Sequence, residues 1–376
     1  MGISFYIFHS MSYVFDVYRG VYKAERDFLL FCNYVIFFPL LVAGPILRAS
    51  EVIPQLRQRP QFHGEQFTAG LKRILYGLFL KVVLADPIGG LVNDAVQVGP
   101  AAVGAMDVWA IAILFGFQIY FDFSAYSSIA IGSAALLGIR FPENFNFPYL
   151  ATSPKEFWTR WHISLSSWIR DYLYLPLSGT KGRQKTVNGL AEVIDDTHGH
   201  RRVFALFVTW AIMGFWHGAN WTFVLWGLWH AGVVMLFRIK NRLRPAPVPA
   251  WLGWLATFPL VMLGWVPFRI GTVGDALAMW AKVATPSQYY AKASAGQGVQ
   301  GLMASFHLSL APNAYITAAL LIIMTALTPL IRHRLHHWWH SPGWLAVGVE
   351  AAVIAAVSAF DFAFLKTTYQ FIYFQF

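Results

Sequence analysis

The chemistry-bearing residues of this chain are mostly histidines inside aromatic, apolar stretches. Met213-Gly-Phe-Trp-His217-Gly-Ala-Asn-Trp-Thr222 sets one imidazole between indoles beside a small turn, and Phe157-Trp-Thr-Arg-Trp-His162-Ile-Ser-Leu-Ser-Ser-Trp168 holds a second. Histidine titrates near neutral pH, so such a ring can take a proton from an alcohol nucleophile. A titratable ring at membrane depth is also a functional-site hypothesis in its own right. The same burial would suit a purely structural ring, and residue type alone does not separate the two.

Other candidate motifs are weaker. Gly296-Gln-Gly298-Val-Gln-Gly301 spells a dinucleotide fingerprint but sits in a polar stretch with no hydrophobic strand before it. His333, His336, His337 and His340 stand beside Arg332 and Arg334 without a nearby carboxylate, which reads as a basic interfacial helix end, and no metal site is expected. Asp195, Asp196, His198 and His200 read as solvated loop residues. Cys32 is the only cysteine, which excludes a disulfide or thiolate zinc site within one chain. No Walker loop and no Gly-x-Ser-x-Gly elbow occur, so an ATP-driven pump and a serine hydrolase of that type lack support.

The elements that must position the histidines are membrane helices. Of 376 residues, 57% are hydrophobic and only 12% charged, and several apolar runs reach the roughly 20 residues that cross a bilayer core. The fold class is therefore an all-α polytopic membrane protein, read as a single domain over 1–376. The net charge of +10 lies in the gaps between apolar runs rather than on one soluble face, so it reads as positive-inside topology and not as a nucleic-acid surface. Residues 3–18 carry His9 and Asp16 and look made to pack inside something larger. The run 107–139 has Asp122 within it, so it is long, tilted or broken, with the carboxylate turned to protein or water.

Basic gaps at 140–202 and 238–244 belong on one side, which makes 140–202 a cytoplasmic or interfacial segment and requires 203–237 to cross an even number of times. The first arm, 203–216, would be only about 21 Å long at helical rise. A re-entrant hairpin turning at His217-Gly218-Ala219-Asn220 is the expectation, its tip lined by protein or water. Within the basic gap, Ser153-Pro154-Lys155-Glu156 reads as a helix start. Trp158, Trp161, Leu165 and Trp168 then mark one face of a single amphipathic helix with His162 on its flank.

Five ordered motifs carry a resemblance: Phe121-Asp-Phe-Ser-Ala-Tyr-Ser-Ser-Ile-Ala-Ile-Gly132, Pro142-Glu-Asn-Phe-Asn-Phe-Pro148, the 157–168 segment, Arg170-Asp-Tyr-Leu-Tyr174 and Phe215-Trp-His-Gly-Ala-Asn220. Together they resemble the membrane-bound O-acyltransferase (MBOAT) family, and within it the alginate O-acetylation membrane protein branch. The resemblance implies a helical bundle with a central tunnel, in a multi-pass protein of the bacterial inner membrane. It implies transfer of an acetyl group from a cytoplasmic donor, acetyl-CoA or another acyl thioester, with no bound cofactor. Hydroxyls of an extracellular polysaccharide such as alginate would be the destination. It also implies His217 and His162 as catalytic residues. Asp122, Asn144, Trp161, Arg170, Asp171, Trp216 and Asn220 would line the donor and acceptor tunnel.

The implied partners are the lipid bilayer, periplasmic acetyl-accepting or acetyltransferase proteins, and an acyl carrier. Two features depart from the pattern: Ser128 stands where this branch usually has an acid, and the chain begins at Gly2-Ile-Ser-Phe, N-terminally short relative to the family. The same fold directed to D-alanyl transfer or to peptidoglycan, and a non-enzymatic membrane conduit, are the competing readings.

Overall fold

The computed structural model describes residues 3–40, 44–58, 62–179, 199–243, 246–290, 306 and 308–339, with backbone alone at 3–5 and 330–339. Every regular element among them is helical. Five of the described helices are long and apolar enough to cross a membrane: Gly64–Gln97, Ala105–Leu136, Trp221–Leu243, Ala250–Arg269 and Pro312–Pro329. The His333 to His340 cluster, the 296–301 glycine motif, and Asp195, Asp196 and His198 lie outside the residues whose side chains are described.

The chain forms two compact units, each drawn from separated stretches: residues 1–60 with 141–257, and residues 61–140 with 258–376. In the second unit, the expected long helix is one unbroken element, Ala105–Leu136. Glycines set its packing. A Cβ on Gly70 would lie 2.8 Å from the Gly132 carbonyl oxygen, and one on Gly77 would lie 2.7 Å from that of Ala125. Small residues spaced along the crossing let the two backbones meet, as membrane helix pairs commonly do. The partner helix Gly64–Gln97 contains a π-helical turn at Leu80–Ala85. That turn carries Lys81, whose ammonium reaches Asp86 and Asp122 at 2.8 Å each. Asp122 thus faces protein, as its charge requires.

The first unit holds both motif histidines. Its N-terminal helix, Ile3–Tyr18, is tied down by Trp168, whose Nε1 donates to the Phe8 carbonyl at 3.2 Å, and by Tyr172, which donates to Asp16 at 2.8 Å. The helix start at Ser153 is as expected: the Ser153 hydroxyl accepts from the Glu156 N–H at 3.2 Å, with Pro154 in the first turn.

The single amphipathic helix beyond it is a correction. The helix stops at Arg160 and a second runs Ile163–Ile169, because His162 between them has φ 40° and ψ 57°, left-handed and incompatible with helix continuation. The expected hairpin is present as Gly199–His217 and Trp221–Leu243, joined by residues 218–220. Its first arm, however, starts at Gly199 and takes in His200, Arg201 and Arg202. At 19 residues it is about 28 Å long, which removes the length argument for re-entrance. A hairpin of either depth returns to the side it left, so the parity argument still holds.

Candidate active site

Asn144 is the centre of the first histidine's surroundings. Residues 144–146 run antiparallel to 160–163, linked by the Asn146 N–H to the Arg160 carbonyl and the Ile163 N–H to the Asn144 carbonyl, both 2.9 Å. Between these two bonds the chain must bulge, and His162 takes the left-handed conformation there. Its imidazole is thereby turned inward, 1% exposed, with Nδ1 3.1 Å from the side-chain oxygen of Asn144. The same oxygen accepts from the Ser164 backbone N–H at 3.2 Å and from the Ser164 hydroxyl at 2.9 Å. Ser164 in turn accepts from the Ile46 N–H at 2.8 Å. Asn144 is fully buried, and every bond of this network is local or within the same unit.

His217 ends the first arm of the hairpin. Its ring meets Trp216 at 4.7 Å and Trp226 at 5.0 Å, the latter edge to face. Trp226, not Trp221, is the second indole of the site. Trp221 adjoins the turn but is 76% exposed, whereas Trp226 is among the most deeply buried side chains. Trp216 also packs against Phe8, which contacts Trp168 at 4.4 Å, so the N-terminal helix wedges between the hairpin and the Ile163–Ile169 helix. Asn220 closes the turn by accepting from the Thr222 N–H at 3.0 Å.

The hairpin's helices come together at glycines. A Cβ on Gly214 would stand 2.2 Å from the Phe223 carbonyl oxygen, and one on Gly227 would stand 2.1 Å from that of Trp210. The two histidines are neighbours in effect as well as in unit. Burial holds the His162 imidazole well below its ordinary titration range, and His217 is close enough to push it further the same way.

The remaining expected site residues are distributed as follows. Trp161 packs edge to face on Phe145 at 5.2 Å and stacks on Phe157, forming the wall behind His162. Arg170 and Asp171 form an ion-pair cluster: Arg170 Nε lies 2.6 Å from Asp171, and Arg48 pairs with the same carboxylate. Asp122 belongs to the other unit, ion-paired with Lys81.

Three residues around the site escaped the sequence reading. Ser164 was visible as the polar residue two after His162. Arg48 offered no local signal, since its partner lies 123 positions away. His230 sits one helical turn after Trp226, 1% exposed, ringed by Trp158 at 4.9 Å, Trp226 at 5.2 Å and Trp210 at 5.7 Å. The i,i+4 spacing of Trp226 and His230 could have found it.

This arrangement can perform proton transfer: it holds two imidazoles, one beside a buried amide, among aromatic rings. Such a pairing of base and orienting group is the general form of an activated nucleophile site. Among known proteins, the model of the MBOAT, membrane-bound O-acyltransferase family matches residues 6–191, a stretch that includes Asn144 and His162. The chain belongs to the membrane-bound O-acyltransferase family. It is 40% identical over 282 residues to a protein of Azotobacter vinelandii named probable alginate O-acetylase AlgI, covering 75% of this chain and 53% of that one. The Helicobacter pylori peptidoglycan O-acetyltransferase is 32% identical, over 74% of this chain and 55% of its own. The Streptococcus thermophilus teichoic acid D-alanyltransferase is 29% identical, over 71% and 68%. The chain thus spans about half the length of the alginate relatives it matches.

Proposed function

We propose that this protein is a membrane O-acyltransferase that moves an acetyl group from a cytoplasmic acyl thioester towards hydroxyls of an extracellular polysaccharide such as alginate. It would work in the bacterial inner membrane and hand acetyl groups on to periplasmic acetyl-accepting proteins. The observation that carries this reading is the pairing, in one unit, of His217 in its indole frame with an amide-oriented His162 that lies within its electrostatic reach. Acyl transfer to an alcohol needs one group to receive the hydroxyl proton and one to act at the acyl carbon, and two imidazoles supply both. His217 is the residue at which donor and acceptor meet, either as base or by carrying the acyl group transiently. Identity to the acetyl-transferring relatives exceeds that to the D-alanyl-transferring one, which favours acetyl as the cargo.

The test is His217→Ala in protein that inserts and purifies like the wild type, with acyl transfer from a thioester donor and polymer acetylation in cells as readouts. Loss of both by at least about 10²-fold is expected. Retained transfer would overturn the catalytic assignment, and transfer of a D-alanyl but not an acetyl group would overturn the cargo.

A further inference from the structure

The hydrogen bonds around Asn144 determine where the proton of His162 sits. A backbone N–H can only donate, so the Asn144 atom that meets the Ser164 N–H at 3.2 Å is the carbonyl oxygen and not the amide nitrogen. That oxygen has no proton to give. His162 Nδ1, at 3.1 Å from it, must therefore carry the hydrogen. The rival donor, the Ser164 hydroxyl, has one proton, and it stands 2.9 Å from Asn144 but 3.5 Å from His162 Nδ1. The shorter contact takes it. A ring protonated at Nδ1 and otherwise neutral has its lone pair on Nε2.

We propose that Asn144, itself held by Ser164, is a positioning residue that fixes the Nδ1–H tautomer of His162, so that His162 Nε2 is the atom that accepts the proton of the acceptor hydroxyl. The tautomer stands on the geometry alone. Its use in transfer rests on the acyltransferase reading given above. In that step the hydroxyl oxygen bonds to the acyl carbon while its proton passes to Nε2. The C–S bond of the thioester then breaks, and the thiolate recovers the proton from the imidazolium, which restores the neutral ring. This assigns the base to His162 Nε2 rather than to His217, which then orients the acyl group.

Nitrogen-15 NMR of histidine-labelled protein in nanodiscs reads the tautomer directly, with the His162 signal identified by its loss in His162→Gln. The wild type is expected to show protonated Nδ1 and unprotonated Nε2. Asn144→Leu should release that preference and lower kcat by about 10²-fold with little change in KM. Asn144→Asp retains an acceptor, so it should keep the tautomer and much of the rate. Its carboxylate would favour the imidazolium, moving the acidic limb of the pH–rate profile upward. Ser164→Ala removes the hydroxyl that donates to the Asn144 oxygen but keeps that oxygen as acceptor, so it should lower kcat less than Asn144→Leu and leave Nδ1 protonated.

Protonated Nε2 in the wild type would overturn the proposal whatever the activity. An unchanged kcat in Asn144→Leu with the tautomer lost would overturn its catalytic half. Absence of transfer in a wild type that shows the stated tautomer would instead count against the function proposed above.

Discussion

Gly227 offers the sharpest test of how the hairpin places His217. A Cβ there would stand 2.1 Å from the Trp210 carbonyl oxygen, about 1.3 Å inside the 3.4 Å at which ordinary contact begins. The obstacle is backbone, so it cannot swing aside as a flexible side chain would. In Gly227→Ala the two arms must part by about 1 Å at this crossing. Trp226, the residue beside it, is the indole that meets the His217 ring edge to face at 5.0 Å. A misplacement of that size at a catalytic group is worth about 10²-fold in rate, and overpacking costs about 1–3 kcal/mol of stability. Gly232, five residues on in the same helix, has nothing within 4 Å of its Cβ position. Gly232→Ala should therefore be neutral or stabilise by up to about 1 kcal/mol through helix propensity. The assay is acyl transfer per mole of monodisperse protein in nanodiscs, with melting temperature measured on the same samples. Wild-type rates in both variants would refute the claim that this close approach sets the site.

Two further outcomes follow from buried charge. The His162 imidazole is neutral in the folded protein and regains a value near 6.5 when unfolded. Below about pH 6.5 the unfolded chain therefore binds the extra proton, and stability, full above that pH, falls on acidification until the folded ring itself protonates. The melting temperature should be lower at about pH 5.5 than at about pH 7.5, and His162→Gln should narrow the difference. In the other unit, Lys81→Met would leave Asp86 and Asp122 without their shared ammonium, at a cost of about 3–5 kcal/mol. Yield of folded protein should drop sharply and recover in the triple variant with Asp86→Asn and Asp122→Asn. Normal yield for Lys81→Met alone would show that the triad does not stabilise the unit.

The membrane class, the long helix ending at Leu136 and the existence of the hairpin were legible because each rests on hydropathy summed over many residues. Positions governed by one dihedral or by distant partners were not. Trp158, Trp161, Leu165 and Trp168 keep helical spacing, yet a period cannot register one left-handed residue between them, and His162 is that residue. Gly199 to Arg202 looked like part of a polar gap, although long cationic side chains can extend from a helix end, and the arm begins there. Trp221 is nearer to His217 in sequence than Trp226 is, but the turn at 218–220 and the rise of the following helix bring Trp226 across to the imidazole. Lys81 stands between apolar neighbours, Phe79-Leu80 before it and Val82-Val83 after it. Its partner Asp122 is 41 positions away on another helix, and no local pattern joins them.

The strain in the described backbone falls where the chemistry is proposed. Only Phe147 and His162 among the described non-glycine residues have positive φ; Phe147 follows one of the two segments paired through Asn144, Asn146, Arg160 and Ile163, and His162 lies within the other. Each such conformation costs of order 1 kcal/mol or more and persists only where the surroundings enforce it. Around His162 those surroundings can be named: the 2.9 Å backbone bonds on either side, the Asn144 oxygen with its three donors, and the Trp161 wall. Glycine at 162 would relieve the backbone, and asparagine would tolerate it. A histidine held in this conformation, with its Nδ1 committed to a buried amide, gives up backbone stability for a fixed ring. A ring fixed in this way is what the positioning role proposed for Asn144 and His162 requires.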